Sequence, residues 1–153
     1  MNEIIYLVGD ATRPIDTDSN RIIAHVCNDR GGWGAGFVLA ISKRWTAPEK
    51  KYRALKNYVL GEVQFVKVES GLNVANMIAQ TLGWKNGNPP IRYEALRKCL
   101  EKVFNLAHEH HATVHMPRIG AGLAGGKWNK IEAMIEDELV ARGIPVFVYD
   151  LPN

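Results

Sequence analysis

Apolar positions along this chain fall into short blocks whose period keeps switching between that of a strand and that of a helix. Residues 3–8 (EIIYLV) and 22–27 (IIAHVC) are β-branched and aromatic runs that read as strands. Residues 36–45 (GFVLAISKRW) carry a helical pattern, expected to continue past Pro48 through KKYRALKNY. Two adjacent strands come next. Residues 60–68 alternate, with Val63 and Phe65 set against Glu62, Gln64 and Lys67, the turn ESGLN follows, and residues 74–79 form the return. Residues 81–90 (TLGWKNGNPP) are loaded with breakers and read as a loop. Beyond them, RYEALRKCLEKVFNLAHEH places Leu96, Leu100, Val103, Leu106 and Ala107 at helical spacing and leaves its charges on the other faces. Residues 112–116 are a fifth apolar run, 129–142 a helix stopped by Gly143, and 144–149 the last strand.

About six strands and three or four helices in this order imply an α/β fold, a three-layer α/β/α sandwich around a mixed, roughly six-stranded sheet. The 153 residues are expected to form a single domain, 1–153, and no internal repeat, linker or low-complexity stretch divides them. The formal net charge of +3 comes from 19 Lys and Arg against 16 Asp and Glu, with both signs mixed along the helices. That balance suits a small anionic ligand, and no recognisable nucleic-acid-binding motif accompanies it. No apolar run reaches the roughly 18 residues of a membrane span, and the first residues lack a basic-then-apolar signal pattern, so a cytoplasmic protein without a membrane partner is expected. Cys27 and Cys99 sit in apolar contexts and read as buried free thiols. His108, His110 and His111 cluster at the end of a helix with no cysteine or second acidic ligand at metal-like spacing, so no metal and no cofactor is expected.

The chemistry concentrates in two glycine-rich loops, each leaving an apolar run and entering a helix. Residues 117–128 (PRIGAGLAGGKW) contain G-x-G-x-x-G with Gly120, Gly122, Gly125 and Gly126. Residues 28–36 hold Asn28, Asp29, Gly31, Gly32, Gly34 and Gly36. Loops this free of side chains let backbone N–H groups approach a ligand at the positive end of a helix dipole, which suits a diphosphate. In open α/β sheets such loops converge outside the carboxyl ends of the strands, so the two would grip one elongated ligand. Glycine also serves purely steric needs in tight turns, and that reading stays open at each loop.

The order GDAT, then HVCNDRGGWGAGF, then MPRIGAGLAGGKW resembles macro domains, the ADP-ribose-binding modules, over nearly the whole chain. Within that family it is most similar to the short branch that holds the terminal ADP-ribose protein glycohydrolases and the ADP-ribose 1″-phosphate phosphatases. The resemblance implies ADP-ribose in a cleft across the strand ends. It implies that Asp10 accepts from the adenine amino group, which suits a carboxylate because it can only accept. The alternative for Asp10 is a turn residue before Pro14. Ala11 and Thr12 match the adjoining backbone, and Asn28 matches an amide beside the distal ribose. Gly32, Trp33, Gly34 and Ala35 match the first phosphate and ribose loop, and Ile119, Gly120, Ala121, Gly122, Leu123, Ala124 and Gly125 the second. Tyr149 and Leu151 fall where the family contacts adenine, although strand-edge packing equally explains Tyr149.

The chain departs from its relatives at the catalytic positions. Where the terminal glycohydrolases carry an aspartate after G-x-G-L, this sequence has Ala124. Their lysine nucleophile could be matched only by Lys85, whose other reading is a solvated loop lysine. Asn28, Asp29 and Gln80 are the remaining polar candidates for catalysis near the distal ribose, while His25, alternating with Ala24 and Val26, reads as a core histidine. Three functions stay open: ADP-ribose recognition with hydrolysis of a 1″-linked ester or phosphate, a non-catalytic ADP-ribose-binding module, and an NAD-dependent oxidoreductase suggested by GAGLAG. The last needs an acidic residue about 20 positions onward, which Asp150 roughly supplies, but only three residues follow it, leaving no expected room for a second nucleotide half or substrate domain. The expected partner is ADP-ribose or an ADP-ribosylated substrate, with nucleic acid only as such a target.

Overall fold

The computed structural model describes residues 3–153; residues 1 and 2 of the expected domain lie outside the described residues. Six strands form one sheet: β1 (Ile5–Val8), β2 (Arg21–Asn28), β3 (Val63–Glu69), β4 (Leu72–Gln80), β5 (Thr113–Met116) and β6 (Val146–Asp150). Their order is β1-β6-β5-β2-β4-β3. Every pairing is parallel except β3 with β4, which makes the sheet mixed. The helices are α1 (Phe37–Arg44), α2 (Ala47–Arg53), α3 (Tyr93–His110) and α4 (Trp128–Glu138), with a 3₁₀ turn at Val140–Arg142. No helix among the described residues is long and apolar enough to cross a membrane.

The central strand β2 is buried on both faces, and its alternate side chains feed two cores. Ile22 and Ala24 join Met77, Leu96, Leu100, Val103, Ile131 and Ile135 beneath α3 and α4. Ile23 and Cys27 join Trp33, Val38, Ile41, Tyr52 and Val74 beneath α1 and α2. A strand covered by helices on both sides reads as a continuous apolar run, which is why IIAHVC shows no alternation. This is the three-layer sandwich.

Several boundaries differ from the expectation. The helix foreseen from residue 36 through KKYRALKNY is two helices, because Trp45 takes an extended conformation (φ −143°, ψ 138°) and Pro48 lies in the first turn of α2. Proline fits there, where its missing N–H would have no intrahelical partner. The hairpin turn is tighter than ESGLN: Gly71 takes φ +71° and β4 begins at Leu72. The helix foreseen to Arg142 ends at Glu138 and closes through the 3₁₀ turn, with Gly143 in the left-handed region at φ +90°. These shifts leave the strand ends, and hence the loops above them, where the pattern placed them.

Candidate functional site

Parallel strands β2, β4, β5 and β6 all end on the same side of the sheet, and the two glycine loops leave β2 and β5 there, next to each other in strand order. Between them lies a cavity of about 540 Å³, within the usual range for small-molecule sites. From the first loop it is lined by Asn28, Gly32, Trp33, Gly34 and Ala35, and from the second by Ile119, Gly120, Gly122, Leu123 and Ala124. Gln80 lines it from the end of β4, and Leu82 and Trp84 from the loop that follows.

Asn28 organises the first loop. Its Oδ1 accepts from the backbone N–H groups of Arg30 (2.9 Å) and Gly32 (3.0 Å), and its Nδ2 donates to the Gly32 carbonyl (3.0 Å). The amide expected to serve a ribose with both its functions therefore has its acceptor committed to the loop. A Cβ at Gly32 would stand 2.9 Å from Asn28 Nδ2, so glycine is required to let the amide in. Tyr52, from α2, completes the knot: its hydroxyl lies 2.5 Å from the Asn28 carbonyl oxygen and 2.9 Å from Oδ1, and accepts from Gly31 N–H at 3.1 Å. Burial holds this phenol well above its ordinary pKa, so it stays a neutral donor. Trp33 is a lining residue yet only 3% exposed, packed in the α1–α2 core with its Nε1 donating to Ser42 Oγ at 2.7 Å.

The second loop separates into steric and open positions. A Cβ at Gly126 would sit 2.5 Å from the Gly120 carbonyl oxygen, and one at Gly120 would meet Ile91 Cδ1 at 2.9 Å and Ile131 Cδ1 at 3.0 Å. At Gly122 a Cβ would meet nothing within 4 Å. Ala124 is buried, and its carbonyl accepts from Ile91 N–H at 3.0 Å.

Other predicted residues lie off the cavity wall. Asp10 Oδ1 accepts from Thr12 N–H and Thr12 Oγ1, both at 2.8 Å, which is the turn role; Ala11 and Thr12 are buried. Tyr149 is buried too, its hydroxyl held by Ile15 N–H (3.0 Å) and His115 Nδ1 (2.8 Å), so packing accounts for its side chain. Leu151 is exposed beyond β6. Ala121 and Gly125 are not among the lining residues, and Trp84 packs where a Gly125 side chain would go. Asp29 turns to Arg30 at 3.6 Å. Lys85 is exposed and pairs through its backbone with Asn88 in a tight turn formed by Asn86 (φ +52°) and Gly87 (φ +77°). Neither Asp29 nor Lys85, both candidates for catalysis, is among the residues lining the cavity.

Three lining residues carry titratable groups. His25 is buried, with Nε2 2.6 Å from Asn76 Oδ1 and Nδ1 left without a partner, and burial lowers its pKa to about 4. Cys27 is a buried thiol pushed up by the same cause. Arg118, which the sequence reading passed over, is the one cation lining the cavity among the described residues, and none of the lining residues is a carboxylate. Its guanidinium forks onto Asp150, Nε to Oδ1 at 2.7 Å and Nη2 to Oδ2 at 3.0 Å. That pair raises the pKa of Arg118 and lowers that of Asp150.

Comparison with known proteins gives the same picture. The sequence model of the Macro domain family matches residues 24–135. A macrodomain protein from Streptomyces coelicolor is 52% identical, with a TM-score of 0.84 over 97% of this chain and 99% of that one. The human ADP-ribose glycohydrolase OARD1 is 30% identical over 98% of this chain and 93% of its own length. The mouse chromodomain-helicase-DNA-binding protein 1-like is 31% identical over 98% of this chain, which spans only 18% of that larger protein.

Proposed function

This chain belongs to the macro domain family, and from that premise we propose that it binds ADP-ribose, free or carried on a larger substrate, between its two glycine loops. The observation that carries the reading is the character of the cavity: glycine-rich backbone on two sides and no carboxylate residue on its lining to repel a diphosphate. Backbone amides in such loops are preorganised donors for phosphate oxygens. The sheet order supports one direction for the ligand. Asp10 and Leu151 follow β1 and β6 at one side, while Asn28 and Gln80 end β2 and β4 at the other, so adenine lies toward β6 and the distal ribose toward β4.

A second reading adds hydrolysis at the distal ribose. Its support is the human relative, matched over nearly its whole length and named an ADP-ribose glycohydrolase. Here Gln80 and the free Nδ2 hydrogen of Asn28 would orient the ribose and a water. The oxidoreductase alternative finds little support in the geometry: GAGLAG does follow the first strand of the unit β5-α4-β6, but the acidic residue at the end of β6, Asp150, is tied to Arg118 rather than free for a ribose.

Calorimetric titration with ADP-ribose, AMP and NAD tests recognition. ADP-ribose is expected to bind and NAD much less well, because the distal loop accepts a ribose but not an attached nicotinamide. Equal affinity for NAD would overturn this reading. Incubation with ADP-ribosylated protein and with ADP-ribose 1″-phosphate tests hydrolysis, and an absence of released product from both would confine the chain to recognition.

A further inference from the structure

The loop between β4 and α3 is a built element rather than a plain connection. Gln80 and Ile91 form an antiparallel bridge at its base, and Thr81 N–H donates to the Pro90 carbonyl at 2.9 Å. At its tip Lys85 and Asn88 exchange backbone hydrogen bonds of 3.0 and 2.9 Å around Asn86 (φ +52°) and Gly87 (φ +77°), the Asn-Gly pair that suits a tight two-residue hairpin turn. Residues 80–91 are therefore a small β-hairpin, and it rises directly beside Asn28. Gln80 is the register partner of Asn28, and its carbonyl accepts from Asp29 N–H at 2.9 Å. Thr81, Leu82, Gly83, Trp84 and Pro90 all line the cavity. The hairpin leans on the second glycine loop, since Ile91 N–H donates to the Ala124 carbonyl and the indole of Trp84 is seated on Gly125. A Cβ at Gly125 would stand 2.7 Å from Trp84 Cζ2 and 3.0 Å from Pro89 Cβ, so the last glycine of G-x-G-x-x-G is bare to seat the hairpin. The indole itself thus bridges two of the segments that bound the cavity. One of its edges is fixed, yet Trp84 stays 64% exposed, and Leu82 on the same strand of the hairpin 59%.

Resting on the ADP-ribose reading, we propose that this hairpin is the wall behind the distal ribose and that Trp84 sets what C1″ of that ribose can carry. A compact, linear substituent passes the indole, whereas a ring attached directly to C1″ collides with it. The substrate class is then ADP-ribose bearing an oxygen-linked group such as a phosphate or an ester, with N-linked aromatic rings refused. Stiffness makes the refusal effective, because a wall that swung aside freely would impose no steric cost on the wrong ligand. The two-residue turn and the seat on Gly125 both supply it. The competing account makes Trp84 only a brace for the second loop. It predicts that removing the indole weakens every ligand alike, whatever its distal end.

The test is titration calorimetry of wild type, Trp84→Ala and Trp84→Phe with ADP, ADP-ribose, its β-1″-O-methyl glycoside and NAD, with melting temperatures recorded in parallel. ADP lacks the distal ribose and so reports the phosphate loops alone. Trp84 belongs to neither helix-covered core, so its loss leaves a folded protein to measure. Wild type should bind the methyl glycoside within about fivefold of ADP-ribose, and NAD far more weakly. Trp84→Ala should narrow the gap between ADP-ribose and NAD about tenfold or more, while ADP stays within about threefold of wild type. Trp84→Phe, which keeps a ring on Gly125, should retain most of the gap. An unchanged gap in Trp84→Ala, an equal loss for ADP, ADP-ribose and NAD, or refusal of the methyl glycoside by wild type would overturn the proposal while leaving ADP-ribose recognition intact. Wild type that bound neither ADP-ribose nor ADP would sink both.

Discussion

Gly122→Val asks whether the second loop is glycine-rich for the sake of its own fold or for a ligand. At this position a Cβ meets no heavy atom within 4 Å and φ lies outside the left-handed region, so the unliganded loop offers open space for a side chain. A surface substitution of that kind changes stability by about 0.5 kcal/mol or less, which moves the melting temperature of a domain this size by roughly 2 °C. Gly120 is the opposite case. Its φ of +71° and the approaches of 2.9 Å and 3.0 Å to Ile91 and Ile131 make even Gly120→Ala an overpacked, strained replacement, costing about 1–3 kcal/mol.

The binding cost at Gly122 follows from what the valine would displace. Its side chain would enter the cavity where the diphosphate faces the loop. Losing two amide bonds to charged phosphate oxygens, each about 1.5–3 kcal/mol, forfeits about 3 kcal/mol or more, over a hundredfold in affinity. Titration calorimetry with ADP-ribose, run beside thermal melts, reads both quantities. The expected result is a folded Gly122→Val protein with no detectable binding, against a Gly120→Ala protein that melts early. A folded Gly122→Val protein that binds ADP-ribose within threefold of wild type would place the diphosphate elsewhere, and one that fails to fold would show the loop to be structural.

Asp10→Asn keeps an oxygen for Thr12 and so preserves the turn, but it should lower ADP-ribose affinity by about 1–3 kcal/mol if the carboxylate serves adenine; unchanged affinity on titration would leave Asp10 a turn residue only. Tyr52→Phe removes the hydroxyl that joins Asn28 and Gly31, and should cost about 1–3 kcal/mol in urea unfolding together with a severalfold loss of affinity; identical curves would mean the loop stands without it. His25 and His115 are buried neutral, with pKa values lowered to about 4 and about 3, so the unfolded chain takes up their protons first as pH falls below about 6.5. Their stabilising effect is full above that pH and is lost on acidification toward pH 4, with a slope approaching about 1.4 kcal/mol per pH unit for each; unfolding free energies equal at pH 7 and pH 5 would refute it.

The strands and both loops were legible because their signals are local: period-two or unbroken apolar runs, then glycine clusters. The break at Trp45 was not, since KRWTAPEKKY keeps a helical composition on both sides and only the extended backbone at one residue divides it. Asn28 was legible as a site residue but not in its role, because its acceptor is filled by Arg30 and Gly32 of its own loop. Tyr52 sits in KKYRALKNY with nothing in the sequence to mark it as a site residue. Its hydroxyl reaches Asn28, 24 residues away, only because α2 packs over the end of β2. Arg118 shows the same limit. A single basic residue in MPRIG forms no pattern, and its partner Asp150 lies 32 residues away, brought alongside by the pairing of β5 with β6.

The wall of the cavity is rich in donors and poor in proton acceptors, and this bears on binding and turnover in different ways. Amides from the two glycine loops favour negative charge. Asn28 Oδ1 is committed to the loop, and His25 Nδ1 is shut away from solvent in the floor. At the position where relatives carry an aspartate, Ala124 is packed into the α3–α4 core with its carbonyl bonded to Ile91. An isolated carboxylate at such a buried position would be expensive to keep charged. Recognition of an anion needs only the donors, and these are in place. Hydrolysis also needs a group to take a proton from water, and none of the residues lining the cavity is a carboxylate.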